Sequence, residues 1–168
     1  MRRYQRNVLW SFFALGLIVL YFTGSAVVKA NSEAKLQVTP ENIIVSPALL
    51  KEPPKFKGAG FTPKELVLVD IIVPKGLEVL GLEKGEDKVG LAFTYASNQG
   101  DFEVAMDSMA IMQTLLQVPW VQTETGAIPD FKQARGFPPG VYTILAIGMD
   151  SELRAMGTLT ILPPPVKK

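Results

Sequence analysis

An uninterrupted apolar segment near the N-terminus constrains this chain more than any other feature. Residues 8–28 (VLWSFFALGLIVLYFTGSAVV) include no charged side chain. At the rise of an α-helix the segment spans roughly 31 Å, about the thickness of a bilayer's hydrocarbon core. Backbone polar groups must be paired inside lipid, so the segment predicts one transmembrane helix. The residues expected to anchor it in lipid are Trp10, Phe12, Phe13, Leu15, Leu17, Ile18, Leu20 and Tyr21.

The charges before this segment predict its orientation. Arg2, Arg3 and Arg6 lie in a basic tail, residues 1–7, and the first acidic residue of the chain is Glu33. An excess of arginine on one flank favours the cytoplasmic side for that flank. We therefore expect a single-pass protein of the cytoplasmic membrane, with its N-terminus inside and its C-terminal domain in the periplasm or at the cell surface.

A cleaved signal peptide is the competing interpretation of the same residues. The basic tail and apolar segment fit such a peptide, and Val28 and Ala30 supply small side chains where a signal peptidase needs them. Cleavage after Ala30 would release the rest of the chain. The apolar segment is longer than that of a typical signal peptide, which favours a retained anchor. Both interpretations export the C-terminal part.

Composition excludes several classes of function. The chain has no Cys and no His, which removes Ser-His and Cys-His nucleophilic pairs and metal sites built on thiolate or imidazole. A metal site from Glu83, Glu86 and Asp87 has the wrong spacing for a calcium loop. We expect no enzyme, no cofactor, no metal site and no dedicated small-molecule ligand.

The exported part is slightly acidic. Four of the 17 basic residues precede residue 31 and none of the 16 acidic residues does, so the remainder has a formal charge of about −3. This charge is scattered, which disfavours a nucleic-acid surface. Residues 29–35 form a predicted linker, residues 36–162 one domain, and residues 163–168 a Pro-rich basic tail.

Most of the domain has the patterns of short strands. Alternating or continuous apolar residues predict strands at residues 36–39, 43–45, 66–73, 77–80 and 89–96, with Leu91, Phe93 and Tyr95 on one face. The sequence of residues 98–101 (NQGD) predicts a hairpin into a returning strand from Phe102. Residues 140–147 and 155–162 are expected to pair as a terminal hairpin. We expect residues 66–73 to be buried on both faces for part of their length, with Asp70 on an exposed face.

One segment has helical spacing instead. Met109, Met112, Leu115 and Leu116 recur with the helical period, after Asp107 or Ser108 as a possible cap. The methionines either form an adaptable binding face or pack over one end of the domain. Residues 122–139 are predicted to be a long loop, and loops of this length are often contact surfaces. The predicted partner contacts are Met109, Met112, Trp120, Phe131 and Phe137.

Two motifs carry a family resemblance. Residues 58–67 have the pattern GAGFxPxExV, and residues 139–146 have the pattern PGVYTxxA. With seven or eight predicted strands, residues 36–162 resemble bacterial and archaeal exported immunoglobulin-like domains, although the chain lacks their antibody-type Cys pair and core Trp. The resemblance implies a mainly β, immunoglobulin-like β-sandwich. We expect it to carry one inserted amphipathic helix, which the plain family pattern lacks, and to be preceded by a single transmembrane helix. The resemblance also implies a binding, spacing or scaffold role.

Two functional hypotheses follow. In the first, the chain is a membrane-anchored, non-catalytic accessory or scaffold subunit, whose partners are the lipid bilayer and other membrane or envelope protein subunits. In the second, it is an exported carbohydrate- or peptide-binding module with Trp120, Phe131 and Phe137 as aromatic platforms. A third hypothesis is polymerisation by strand exchange at a sheet edge, against which prolines near the predicted edges argue.

Overall fold

Short strands make up most of the structure, a computed structural model that describes residues 33–80, 82 and 85–165. The described residues form ten strands, one short helical segment and two 3₁₀ turns. The domain is therefore mainly β with one short helix, as the sequence patterns predict. All of these elements belong to one folded unit that spans residues 32–168.

The smaller of the two main sheets has three antiparallel strands. Its order is β1 (Lys35–Thr39), β3 (Lys55–Ala59) and β6 (Phe102–Ala105). Its outward side is charged, with Lys57 Nζ 3.1 Å from Glu103 Oε2. Position 58 requires glycine, because a β-carbon there would overlap the ring of Phe102.

The larger sheet has five strands and contains the predicted terminal hairpin. Its order is β2 (Asn42–Ile44), β10 (Arg154–Leu162), β9 (Gly140–Gly148), β4 (Leu66–Ile72) and β5 (Lys88–Tyr95). β2 runs parallel to β10, and every other pair in this sheet is antiparallel. The predicted pairing of the last two strands is confirmed by β9 and β10.

Inward side chains of both sheets share one hydrophobic core. Phe56 comes from the smaller sheet, and Val69, Leu91 and Ile144 come from the larger one. Along β4 the inward residues are buried, whereas the residues between them are only half-buried. The predicted burial of residues 66–73 on both faces is therefore wrong for the outward face, where Asp70 also lies half-buried.

A buried carboxylate connects two loops at one end of the larger sheet. Glu65 is 1% exposed, and its side chain accepts hydrogen bonds from the Thr62 backbone N–H, the Ser151 N–H at 3.0 Å and the Ser151 hydroxyl at 2.9 Å. Burial alone would raise the pKa of Glu65. These hydrogen bonds and one from the Asp150 backbone lower it by more than burial raises it, so the pKa lies below its ordinary value. The ionised carboxylate thereby joins the start of β4 to the β9–β10 turn.

The predicted hairpin at residues 98–101 is a turn between sheets. Ser97 N–H donates to Asp101 O at 2.7 Å and Gly100 N–H to Ser97 O at 3.1 Å, so the local turn forms as its residues predict. β6 then pairs with β3 and not with β5. The Phe102 ring packs against Gly58 and lies edge-on to Phe61 at 5.4 Å between centroids, which places β6 in the smaller sheet.

The strand predicted at residues 77–80 is absent from the described structure. Leu77 N–H donates to Pro74 O and Leu82 N–H to Val79 O, so this segment is a series of turns. Its alternating apolar residues still have a packing role, because Val79 is buried in the core. The alternating apolar residues of this segment therefore indicate burial and not strand pairing.

The predicted helix is present but short. It begins as α1 (Ser108–Ala110), where Asp107 Oδ1 accepts hydrogen bonds from Met109 N–H at 2.7 Å and Ala110 N–H at 3.3 Å, which confirms the predicted cap. It continues over Ile111–Leu115 with π-helical spacing, in which Leu116 N–H donates to Ile111 O at 2.8 Å. The wider turn directs Ile111, Leu115 and Leu116 into the core.

Part of the predicted loop at residues 122–139 is a β-hairpin. β7 (Trp120–Thr123) and β8 (Gly126–Pro129) pair as a separate two-stranded sheet, followed by a 3₁₀ turn over Phe131–Gln133. The sequence contains few apolar residues in this stretch, so strand periodicity is weak there. The expectation of a structureless loop is wrong.

The predicted membrane anchor lies outside the described residues. This applies to residues 8–28, including the eight residues predicted to anchor the chain in lipid, and to the basic tail. Among the helical residues that are described, none forms a helix long and apolar enough to cross a bilayer.

Candidate interaction surfaces

Two exposed apolar surfaces distinguish this domain, and the first is built on the β7–β8 hairpin. Its cross-strand pairs are Val121 with Ile128 and Trp120 with Pro129. Trp120, Val121, Ile128 and the following Phe131 are all exposed, and we call these four residues the hairpin surface. Adjacent residues of a strand point to opposite sides, so both sides of this ribbon carry exposed apolar groups.

Local hydrogen bonds hold the hairpin in shape. The Thr123 hydroxyl donates to Gly126 O at 2.6 Å across the turn, and Gly126 adopts a φ of +128° that favours glycine. After the hairpin, Asp130 Oδ1 accepts from Lys132 N–H at 3.0 Å and Asp130 Oδ2 from the Gln133 side-chain amide at 2.8 Å. These contacts are all within residues 123–133, so they shape the ribbon without attaching it to the domain.

Among the described residues, backbone hydrogen bonds close the base of the hairpin and hold the chain that follows it. Asp130 N–H donates to Pro119 O at 2.9 Å, and Phe137 N–H donates to Leu115 O at 2.6 Å. Beyond this base, Trp120 lines an open cleft with Lys88, Gln113 and Thr114. An isolated two-stranded ribbon is at best marginally stable in water, so this one depends on its base for its position.

The five predicted partner contacts divide between the surface and the core. Met109, Trp120 and Phe131 are exposed, and Met112 is half-buried on the helical segment. Phe137 is 3% exposed, with its ring edge-on to Tyr142 at 4.8 Å between centroids. Phe137 therefore offers almost no surface to a partner, and the three aromatic residues considered as a sugar platform do not share one exposed surface.

The second apolar surface is the outward side of the five-stranded sheet, which the sequence analysis missed. Phe93, Tyr95, Val141 and Met156 are each 67% to 71% exposed. The outward apolar residues of β4, β5, β9 and β10, which we call the sheet face, are Leu66, Leu68, Ile72, Phe93, Tyr95, Val141, Leu145, Ile147, Met156 and Leu162. Within this set Leu66, Leu68, Ile72 and Ile147 are half-buried and Leu145 is buried at 5% exposure, so the exposed apolar groups lie around a covered centre. The outward side of the smaller sheet is charged, so the two sheets present opposite chemistry to their surroundings.

A β-bulge in β5 brings the aromatic residues onto this surface. Val69 pairs with Ala92 and Asp70 with Gly90, which leaves Leu91 as the extra residue. Leu91 is buried in the core, whereas Phe93 and Tyr95 point outward. The expectation that these three residues share one face is wrong, because the bulge reverses the alternation between them.

One acidic residue lies within the sheet face. Burial raises the pKa of Asp70, and the positive charge of Lys88 opposes part of this increase. Gly90, the cross-strand neighbour of Asp70, has no side chain, and a β-carbon there would still be 3.9 Å from Asp70 Oδ1. Asp70 lies on a side of the sheet that also carries Lys88, Arg154 and the exposed Thr143 and Thr158.

The sequence contained a signal for the sheet face. β4 and β9 are apolar at nearly every position, in both the inward and the outward series. A strand in an antiparallel sheet with one solvated face normally alternates with polar residues. Continuous apolar character in two adjacent strands therefore indicates that the second face is also available for contact.

The described residues bring together no metal-binding cluster. No group of three or more Asp or Glu side chains among them lies close enough to hold a metal ion. The arrangement can bury apolar area against another surface, with Asp70, Lys88 and Arg154 as nearby charges.

No protein-family model matches the chain, and a search of curated proteins found no significant match.

Proposed function

We propose that this protein is a non-catalytic accessory or scaffold subunit of a membrane or envelope complex. On this proposal residues 8–28 anchor the chain in the cytoplasmic membrane, and an immunoglobulin-like domain outside it binds a protein partner. The hairpin surface carries the proposal, because an exposed apolar ribbon whose two strands pair only with each other among the described strands gains stability when a partner covers it.

The immunoglobulin-like assignment is supported by strand order. Immunoglobulin-like sandwiches pair the first, second and fifth strands in one sheet and the third, sixth and seventh in the other. Here β1, β3 and β6 form the smaller sheet, and β4, β9 and β10 lie side by side in the larger sheet with β5 added at its edge. If β2 continues the first strand and the β7–β8 hairpin is an insertion, the two strand orders correspond except at the fourth strand. The constant-type domain places that strand beside the fifth, whereas here β5 pairs with β4 at the edge of the larger sheet.

A tyrosine near the start of β9 gives further support. The Tyr142 hydroxyl donates to Pro138 O at 2.8 Å, four residues upstream. Many immunoglobulin-like domains have such a tyrosine corner at the start of their sixth strand, with the hydroxyl bonded to backbone a few residues earlier. The family would therefore place β9 as the sixth strand, consistent with its position in the sheet.

The proposal is tested by recovering the partner from native membranes. Full-length protein would be isolated in mild detergent, and co-migrating proteins would be quantified by mass spectrometry. Val121→Ser with Ile128→Ser removes the exposed cross-strand pair and should reduce recovery of the partner at least about tenfold. Phe93→Ser, which lies on the sheet face, is the matched control and should leave recovery unchanged.

Unchanged recovery in the hairpin variant would discard the hairpin as the contact surface. Migration of the parent chain without any partner, or its release as a soluble fragment that starts at Asn31, would discard the subunit proposal itself. The exported binding module would then become the better hypothesis.

A further inference from the structure

A cleft of about 320 Å³ opens at the base of the hairpin. Its walls are the turns at residues 77–80 and the segments on either side of the hairpin, and we call it the hairpin-base cleft. The polar side chains that line it are Glu78, Gln117, Gln133 and Arg135. Ligand-binding sites begin at a volume of about 300 Å³, so the chemistry of these walls decides what the cleft can bind.

One buried polar group in this cleft has a free acceptor. Gln117 is 7% exposed, and its side-chain nitrogen donates to Gly136 O at 3.5 Å. Its side-chain oxygen accepts no hydrogen bond from any residue that the structure describes. No fully enclosed side-chain oxygen among those residues lacks a partner, so this oxygen is reachable from the cleft. Buried polar groups are normally paired, and the oxygen therefore marks a place for a donor from outside the chain.

Arg135 adds a positive charge beside this oxygen. The Gln117 side chain is bonded to the residue that follows Arg135. Arg135 forms no ion pair with a described residue, although the carboxylate of Glu78 lines the same cleft. Residues 1–32 and 166–168, at the two ends of the chain, contain no acidic side chain that could neutralise it. An anionic group of another molecule is the complement of this arginine.

The same arginine also borders an apolar groove. This groove, of about 350 Å³, lies at the free edge of β2, and we call it the edge groove. Its apolar lining includes Ile44, Val45, Leu162 and Pro164, of which Ile44 and Leu162 are at least 40% exposed. Arg135 therefore joins a groove with apolar walls to a cleft that offers hydrogen-bond acceptors and a negative charge.

We propose that the hairpin-base cleft and the edge groove form one binding site for an extended, acidic peptide segment of another protein. An Asp or Glu side chain of that segment binds Arg135, and its apolar residues lie in the edge groove. A backbone N–H donates to the Gln117 oxygen, and a Lys or amide side chain faces Glu78. A neutral sugar would supply no anion for Arg135, and a simple anion would supply no donor for Gln117. This inference does not depend on the proposed function, which uses the hairpin surface.

The first test selects ligands from a phage library of random heptapeptides. The library is first depleted on Arg135→Ala and then selected on the full-length parent chain, both in mild detergent. The retained peptides should share one Asp or Glu, with apolar residues on one side of it and a Lys, Asn or Gln on the other. If no peptide is retained, or if the retained peptides lack an acidic residue, the proposal is overturned.

The second test exchanges the charges of the pair. A retained peptide would be synthesised with a fluorescent label, and its dissociation constant measured by anisotropy. Arg135→Glu, at an exposed position, should raise the dissociation constant at least about tenfold, and a peptide with Lys in place of its acid should bind this variant within about fivefold of the parent pair. Arg154→Glu, at another exposed arginine, is the matched control and should change the dissociation constant less than about twofold. Failure of the exchanged pair to bind would refute contact between the acid and Arg135.

Glu83 provides a further control, because it is acidic and lies outside the described residues. Glu83→Gln should bind the peptide like the parent. Tighter binding by this variant would show that Glu83 competes for Arg135, and would overturn the inference that the acid comes from another molecule.

The third test removes the Gln117 oxygen without straining the fold. Gln117 has a φ of +47°, a conformation that glycine adopts more readily than other residues. Gln117→Gly should therefore unfold at the same urea concentration as the parent or at a higher one, while its dissociation constant for the peptide rises at least about threefold. A folded Gln117→Gly variant with the parent's affinity would show that Arg135 acts alone, and would overturn the combined site.

Discussion

The carboxylate of Glu65 occupies the space that a β-carbon at residue 148 would need, since an added carbon there would lie 2.5 Å from Glu65 Oε2. Gly148 is the last residue of β9, and Glu65 immediately precedes β4, with which β9 pairs. The glycine therefore allows a buried acid to reach the β9–β10 turn. Its smallness is a requirement of packing, because no left-handed backbone conformation is involved.

We expect Gly148→Ala to destabilise the domain by about 1–3 kcal/mol, because the methyl group displaces the Glu65 carboxylate from its hydrogen bonds. The free energy of unfolding would be measured on the full-length chain by urea titration followed by circular dichroism. Gly90→Ala is a matched control in the same sheet, because its nearest neighbouring atom would be 3.9 Å away. Equal stability of the two variants would contradict this packing.

Glu65→Gln should make the free energy of unfolding less dependent on pH in the acidic range. The folded-state pKa of Glu65 is lowered, so its contribution to stability is complete above its unfolded pKa, near 4.5, and is lost as pH falls through the lower folded value. At pH 7 the substitution should reduce the free energy of unfolding by about 1–3 kcal/mol, because the amide replaces a charged acceptor of several hydrogen bonds. Urea titrations at several pH values should show this deficit shrinking below pH 4.5; a constant deficit would contradict the ionised state.

Substitutions at Leu91 and Phe93 test the bulge directly. The two residues are two positions apart, so a regular strand would point them to the same side, yet Leu91 is buried and Phe93 is exposed. Leu91→Ser should destabilise the domain by about 3 kcal/mol through loss of a buried side chain. Phe93→Ser should change stability by less than about 0.5 kcal/mol. Both unfolding free energies should be measured at low protein concentration, so that self-association adds no stability. Similar costs for both substitutions would contradict the register of β5.

The same pair shows where sequence reasoning reaches its limit. Alternating or continuous apolar residues predicted the location of β1, β2, β4, β5, β9 and β10, because these strands bury one side against a core. Alternation failed at Leu91, because a bulge is set by how β5 fits β4 and not by the local pattern. It also placed β6 beside β5, because the turn at residues 98–101 is locally the same whether the chain returns to one sheet or crosses to another.

The interaction surfaces were only partly predictable for a similar reason. Trp120 and Phe131 were predicted as contacts because they are aromatic residues in a Pro- and Gly-containing stretch, and both are exposed. Phe137 came from the same stretch but belongs to the core through its contact with Tyr142. The sheet face depends on strands distant in sequence becoming neighbours, so the continuous apolar character of β4 and β9 indicates it only once the two strands are known to pair.

Tyr142→Phe should isolate the contribution of the tyrosine corner. The ring would keep its packing against Phe137, while the hydrogen bond to Pro138 O would be lost. We expect a cost of about 1 kcal/mol in the free energy of unfolding. Tyr95→Phe removes an exposed hydroxyl and should cost almost nothing. If both variants have the parent's stability, the hydrogen bond to Pro138 makes no net contribution.

The hairpin surface should also be recognisable from its dynamics. Among the described strands, β7 and β8 pair only with each other, whereas β4 and β9 lie between neighbours on both sides. Local opening of the hairpin therefore breaks few contacts, and its amides should exchange with deuterium at least about a hundredfold faster than those of β4 and β9. Mass spectrometry of peptides from the full-length chain would measure this difference. If a partner covers the hairpin, adding that partner should slow exchange at residues 120–129 while the amides of β4 keep their rates. Equally slow exchange in the isolated chain would show instead that the hairpin is fixed without a partner.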